Sequence, residues 1–422
     1  MDNTKRLLDF IEKSTDAFNT VKTVTEILTE NGFTELKRSD IWNLLRGGKY
    51  FTTANSSSVI AFTVPENEPD AFFITASHTD SPSFKLKSNF ELDGDNMVRL
   101  SVEGYGGMIK STWLDRPLGI SGRVVTEKDG AIVSHTIRLD RDLAVIPNLA
   151  IHLNRDINKG YEYNTKNDMC ALTGTEKSRI LELAAENAGV KREDILGFDL
   201  YLYNREGGRI FGTDNEYFAA PRIDDLQCVF ATLDAFVASP PSDNVRVFAA
   251  FDNEEVGSGS KQGAKSTFLA DTLKRINTAL EQSEEQYNAM LAASLMLSCD
   301  NAHALHPNHA DKSDSLNRVY MNGGVVIKYN ANASYTTDAL SEAVVKTLCK
   351  RADIPYQLYA NRSDLPGGST LGNLSAEQVS INTADIGLAQ LAMHSAYETA
   401  GAKDTTYMIR LIKEFYKGEL KL

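Results

Sequence analysis

The spacing of apolar and polar residues divides the chain into stretches with different periods. Near its start, Leu7, Leu8 and Ile11 share one helical face, and Ser14-Thr15-Asp16 offers a cap for a second helix ending near Asn31-Gly32. After several alternating runs, residues 71–76 are almost continuously apolar, the pattern of a strand buried on both faces, and lead into Ser77-His78-Thr79-Asp80. From about 84 to 152 the period falls to two, in short segments joined by turn signals such as Asp93-Gly94 and Asp129-Gly130, which predicts an antiparallel β unit. A helix carrying Leu181, Leu183 and Ala184 runs to Gly189, and a strand over 198–203 closes this unit.

Helical spacing returns with Leu226, Val229, Phe230, Leu233, Phe236 and Val237, and Ser239-Pro240-Pro241 ends that helix. The β-branched and aromatic run 245–251 predicts a central strand whose end carries Asp252, Glu254 and Glu255. Beyond it the pattern predicts helices over 263–282 and 284–293, strands over 293–298 and 323–329, and a helix over 337–350 with Leu340, Val344 and Leu348 inward. A strand over 378–382 and a helix over 405–417 follow. The expected fold is α/β, a mixed sheet sandwiched by helices. Residues 1–85 and 209–422 would form one unit, and 86–208 an inserted, mostly β domain.

Composition narrows the function classes. The chain of 422 residues is 42% hydrophobic and 24% charged, the makeup of a globular protein with room for more than one domain. Its net charge of −13 argues against a nucleic-acid surface and leaves no polybasic patch for a membrane. The N-terminal residues lack the apolar core of a signal peptide and no apolar run reaches spanning length, so a cytoplasmic location is expected. Cys170, Cys228, Cys299 and Cys349 are scattered singly, which predicts buried reduced thiols and leaves any metal to other ligands.

The predicted strand ends supply such ligands: His78 and Asp80, Asp224 and Asp225, Glu254 and Glu255, Asp300, and His394. Each alone has an ordinary explanation, since Asp-Asp before a helix is an N-cap and a single His a satisfied polar residue. A parallel sheet, however, gathers its C-terminal strand ends on one edge, where ligands bind. Imidazole with carboxylate suits zinc or another first-row divalent ion, and one bridging Asp would let this set hold two ions. Of the adjacent glutamates, one can hold a cation while its neighbour faces a water on it. Chemistry alone does not choose between Asp224 and Asp225 as the bridge. Other hydrolytic and phosphate-binding frames are missing: no G-x-S-x-G elbow occurs, and Gly257-Ser258-Gly259-Ser260-Lys261 fails the phosphate-loop spacing.

Five segments in fixed order, Ala-Ser-His-Thr-Asp-Ser-Pro (76–82), Ala-Pro-Arg-Ile-Asp-Asp-Leu (220–226), Phe-Asp-Asn-Glu-Glu-Val-Gly-Ser (251–258), Asp-Asn-Ala-His-Ala-Leu-His-Pro-Asn (300–308) and Gln-Leu-Ala-Met-His-Ser (390–395), make the chain resemble the M18 metallo-aminopeptidases, the aspartyl aminopeptidase group. Residues 361–370 also keep the Asp, Pro and Gly frame of a family loop. The resemblance implies a zinc-aminopeptidase-like fold with an inserted dimerisation domain. It implies two divalent ions per subunit, zinc foremost, with cobalt or manganese accepted by the same ligands. His78 and Asp300 would hold one ion, Glu255 and His394 the other, and Asp224 would bridge them, followed by a cis peptide to Asp225. Glu254 would be the general base that takes a proton from the bridging water and passes it to the leaving amine. Asp80 would fix the His78 tautomer.

For substrate, the resemblance implies contacts from His303, Lys328 and Tyr335, and from His152 of a neighbouring subunit. The implied reaction removes an N-terminal residue, Asp or Glu, from short peptides, although some relatives favour neutral residues such as leucine. The implied assembly is a homododecamer built from dimers, with sites facing an interior chamber. An amidase or carboxypeptidase of the same clan fits the Pro-Arg-Ile-Asp-Asp and Cys-Asp-Asn-Ala-His contexts less well. A catalytically silent assembly or cargo protein would have lost a ligand or the base, and none is lost here.

Overall fold

The run Val245–Phe251 is a strand buried at every position. Period-two alternation sends its side chains into two cores. Val247, Ala249 and Phe251 pack with Phe268, Leu273 and Leu371, whereas Phe248 and Ala250 pack on the opposite face with Leu226, Phe236 and Ile412. The computed structural model describes residues 2–365, 367–368 and 370–420; Pro366 and Ser369 of the 361–370 loop lie outside the described residues.

This strand belongs to a nine-stranded sheet in the order Thr34–Glu35, Lys49–Ala54, Ser58–Thr63, Val245–Phe251, Phe72–His78, Leu295–Cys299, Asn382–Gly387, Val325–Tyr329, Tyr356–Ala360. The four strands from Val245–Phe251 to Asn382–Gly387 run parallel, so their C-terminal ends share one edge. On one face lie the helices Phe268–Ala279, Glu284–Ala293 and Leu371–Ala376; on the other lie Asp2–Lys13, Ala17–Glu30, Ile223–Ala238, Ala339–Ala352 and Asp404–Phe415. The sheet is mixed and covered by helices on both sides, as expected from the sequence.

A second, six-stranded antiparallel sheet is built from strands between Ser83 and Asn204, around a core of its own that includes Phe84, Leu100, Trp113, Ile120 and Leu200. Asp129 and Gly130 form its predicted turn, both at positive φ. The other turn falls on Asp95 and Asn96, at φ of 52° and 60°, because Gly94 pairs with Met97. Asp and Asn tolerate the left-handed region, so they compete with the earlier Asp93-Gly94 signal.

Further expectations shift for physical reasons. Leu340 is exposed, since the inward stripe of its helix runs through Ser341, Val344, Val345, Leu348 and Cys349. The strand placed at 378–382 lies instead at Asn382–Gly387, and turns occupy the residues before it. There Asp385, an unusual strand residue, breaks the apolar pattern while being fully buried. Cys170 is half-buried, unlike the other three cysteines. Among the described residues no helix is long and apolar enough to cross a membrane.

Candidate metal centre and active site

A third, five-stranded sheet explains where the site lies. It joins Arg209–Phe211, Tyr217–Ala220, Glu398–Gly401, Ala389–Leu391 and Ala302–His303. Only His78, Glu254, Glu255 and Asp300 come from strand ends of the large sheet. Asp224 sits in a non-helical kink at the start of Ile223–Ala238, directly after a strand of the small sheet, and His394 follows another strand of that sheet. The expectation that all ligand candidates share one sheet edge is therefore corrected: two sheets contribute, and the site lies where they meet. The peptide bond Asp224-Asp225 is cis.

The candidates converge around Asp224, which is 3% exposed. Its Oδ1 lies 3.4 Å from His78 Nε2, and its Oδ2 lies 3.4 Å from His394 Nε2. Asp300 Oδ1 is 4.0 Å from His78 Nε2, and Glu255 Oε2 is 3.2 Å from His394 Nε2. Each half of the site therefore has one imidazole, one private carboxylate and one oxygen of Asp224. His78, Asp224, Asp225 and Asp300 group tightly enough to surround one ion, as do Asp224, Glu255 and His394.

The remaining hydrogen bonds fix how these groups point. His78 Nδ1 lies 3.0 Å from the backbone carbonyl of Asp80, and His394 Nδ1 lies 2.7 Å from the carbonyl of Gly107. A carbonyl only accepts, so each Nδ1 carries the proton and, in the neutral ring, each Nε2 aims a lone pair at carboxylates. Asp224 Oδ1 and Glu255 Oε1 are buried and receive no hydrogen bond within the described residues. Lone pairs facing buried anions require a positive charge between them, and this nitrogen-and-oxygen donor set fits zinc or a similar divalent ion.

The electrostatics agree. Burial works against the Asp224 carboxylate, but the two imidazoles hold it well below the usual carboxylate range. Burial likewise opposes a charge on His394, yet Asp224 and Glu255 push that ring up to about 10. Glu254 is pushed up to about 8, first by burial and then by Asp300, Asp80 and Asp224.

Asp80 has a second task besides its place next to His78. Its backbone carbonyl, not its carboxylate at 3.5 Å, makes the closer approach to His78 Nδ1. Asp80 Oδ1 accepts the backbone N–H of Glu254 (3.1 Å), and Oδ2 accepts that of Glu255 (3.2 Å) and the hydroxyl of Tyr105 (2.7 Å). The carboxylate therefore anchors the tight turn that presents both glutamates.

A cavity of about 150 Å³ opens onto the cluster, lined by Glu254, His303, Lys328 and Tyr335 among others. Lys328 is 2% exposed, donates to the carbonyl of Asn301 (2.8 Å), lies 3.6 Å from Asp300 Oδ2 and sits near the Tyr335 ring. Burial, with help from Lys328, lowers the His303 pKa and favours the neutral ring. His152 does not reach this cavity in its own chain; it lies in an exposed turn.

Sequence reasoning missed two groups that hold the ligands. Glu398 accepts the N–H of Asp224 on Oε2 (3.0 Å) and that of His394 on Oε1 (2.7 Å). An acidic residue four positions after His394, at the start of the short strand Glu398–Gly401, was the available signal. The Gly107 carbonyl left no such trace, because a backbone oxygen has no residue type.

Comparison with known proteins finds relatives over nearly the whole chain. The sequence model described as Aminopeptidase I zinc metalloprotease (M18) aligns with residues 10–416. A probable M18 family aminopeptidase 2 of Clostridium novyi is 42% identical over 421 residues, covering 97% of each chain. The structure solved as the Ape4 and Nbr1 complex superposes with a TM-score of 0.95 at 33% identity, over 98% of this chain and 85% of that one. The S. cerevisiae mApe1 dodecamer superposes with a TM-score of 0.87 at 26% identity, over 98% and 96% of the two chains.

Proposed function

The chain belongs to the M18 family of zinc metallo-aminopeptidases, and from that premise we propose that it removes N-terminal Asp or Glu from short peptides with two divalent ions bound. His78 and Asp300 would hold one ion, Glu255 and His394 the other, with Asp224 between them. The observation that carries this reading is the placement of the two Asp224 oxygens, each 3.4 Å from a different imidazole nitrogen. When bound, such a pair of ions polarises the scissile carbonyl and makes water acidic enough to attack near neutral pH.

The chain supplies orientation and proton transfer. Glu254, in the cavity wall with its backbone pinned by Asp80, accepts the proton of the attacking water and delivers it to the departing amine. The carbonyls of Asp80 and Gly107 keep both imidazoles in the tautomer with Nε2 free. Lys328, His303 and Tyr335 line the space for the substrate, and the Lys328 ammonium supports the acidic preference by attracting a carboxylate. His152 would reach the site of a neighbouring subunit. The inserted unit 86–208 would serve in dimerisation, within a dodecamer like that of the mApe1 relative.

A second reading, preference for neutral residues such as leucine, draws on Lys328 itself. Its charge is already engaged by Asp300 and the Asn301 carbonyl. A panel of aminoacyl chromogenic substrates, run after reconstitution with zinc, cobalt or manganese, separates the two. Fastest cleavage of aspartyl and glutamyl substrates supports the first, and fastest cleavage of leucyl substrates the second. Hydrolysis of N-acylated substrates alone would overturn both.

A further inference from the structure

We propose that residues 106–112 of the inserted β unit complete only one of the two cation positions, the one framed by Glu255 and His394, so that disturbing this segment weakens that cation selectively. The proposal rests on the two-cation reading above.

The two positions are built from different parts of the chain. His78 directs its backbone N–H to Asp225 Oδ2 (3.1 Å) and its Nδ1 to the Asp80 carbonyl, while Asp300 donates its N–H to the Ile386 carbonyl (3.0 Å). All of these partners belong to the α/β unit. His394 depends on the insert instead. Its Nδ1 goes to the Gly107 carbonyl (2.7 Å), its own carbonyl accepts the N–H of Ile109 (3.0 Å), and of its backbone groups only the N–H stays outside the insert, with Glu398.

The neighbouring contacts extend this clamp. Thr112 Oγ1 accepts the N–H of Ala396, two residues beyond His394, at 2.9 Å. Gly106, at φ +75°, leaves room for Glu255: a Cβ added there would meet the Glu255 Cβ at 3.1 Å and the Pro82 Cα at 3.4 Å. His394 is itself in the left-handed region, at φ 66°, a conformation a non-glycine residue holds only where its surroundings impose it. One short segment thus sets the ring direction, the backbone and the facing carboxylate of a single cation position.

The test removes these contacts without touching a ligand. Ile109→Pro deletes the N–H that binds the His394 carbonyl, and Ile109 already has φ −82°, at the edge of the range of proline. Thr112→Val keeps the side-chain shape and deletes the acceptor for Ala396. Full-length protein, stripped of metal, is titrated with Zn²⁺ against a chromophoric chelator, and bound zinc per chain is counted by elemental analysis.

Wild type should bind two ions. Ile109→Pro should keep one at wild-type affinity and bind the other at least tenfold more weakly, with Thr112→Val shifting the same ion by a smaller factor and Thr112→Ser restoring it. Parallel weakening of both ions, or unchanged binding of both, in variants that retain the wild-type circular dichroism overturns the proposal. If Ile109→Pro does not fold, the Thr112 pair decides by the same criteria. Fewer than two ions on wild type would instead remove the two-cation reading itself.

Discussion

Asp80 and Glu254 are separated by 174 positions, yet Asp80 Oδ1 accepts the backbone N–H of Glu254 at 3.1 Å while its other oxygen accepts that of Glu255. One carboxylate thus orients the candidate base and a candidate cation ligand together. Asp80→Asn replaces one acceptor oxygen with an amide that faces a donor. Losing a charge-assisted hydrogen bond costs ~1.5–3 kcal/mol. At ~1.4 kcal/mol per factor of ten, kcat should fall about 10- to 100-fold, with KM changing less. Steady-state kinetics on a chromogenic substrate check this, and an unchanged kcat would deny Asp80 the anchoring role.

Glu254→Gln keeps the shape of the candidate base and removes its ability to take a proton. Turnover should fall by about 10²- to 10⁴-fold, the usual contribution of general acid–base catalysis. Metal content, melting temperature and oligomeric state should stay at wild-type values, since the paired imidazoles and Asp224 do not depend on Glu254. Wild-type turnover in this variant would reassign the base.

Metal removal should leave a characteristic dependence of stability on pH. Burial raises Glu254 and Glu398 from the usual glutamate range to about 8, and Asp252 to about 7. A carboxylate with a raised folded-state pKa holds its proton in the folded chain where the unfolded chain has released it, so stability falls as pH rises through that window. His394, raised to about 10, adds stability that is complete below its unfolded pKa and is likewise lost as pH rises above it. Melting curves of chelator-treated protein should therefore move to lower temperature between pH 5 and pH 8. Zinc should stabilise most at the upper end, where its ligands are deprotonated. A cation-free enzyme that grows more stable over this range would contradict the assignment.

The β-branched and aromatic run Val245–Phe251 made the central strand legible because burial on both faces selects apolar residues at every position except Arg246. The ligand candidates were legible as residue types, and their strand-end positions narrowed the choice. Their arrangement was not, because Asp224 and His394 follow strands of the small sheet, whose short strands Tyr217–Ala220, Ala389–Leu391 and Glu398–Gly401 give too few residues to show a period. The strand Asn382–Gly387 was misplaced for the opposite reason. Its buried Asp385 has a structural task that hydrophobicity alone does not signal.

That task ties down two walls of the substrate cavity. Asp385 Oδ2 accepts the N–H and hydroxyl of Thr336, beside Tyr335, and Oδ1 accepts the hydroxyl of Thr370 at 2.6 Å. Tyr335 and Thr370 both line the cavity. Asp385→Asn should loosen those walls and raise KM by about tenfold, equivalent to ~1.4 kcal/mol of binding, while zinc stoichiometry stays at the wild-type value. Loss of bound metal in this variant would show that Asp385 supports the metal centre rather than the pocket.

His152 gives the sharpest test of assembly. It lies in an exposed turn flanked by Leu149, Ile151 and Leu153, which are 56%, 49% and 74% exposed. Three apolar side chains left to solvent around one imidazole form a surface that a second subunit could cover. If His152 completes the site of a neighbour, His152→Ala and Glu254→Gln chains should each be nearly inactive alone. Co-refolded in equal amounts, they should recover activity, because a mixed dimer pairs the intact Glu254 of one chain with the intact His152 of the other. Random pairing makes half of the dimers mixed, each with one restored site of two, or about a quarter of wild-type activity. If His152 worked within its own chain, every site in the mixture would still lack one of the two groups, and co-refolding would restore nothing.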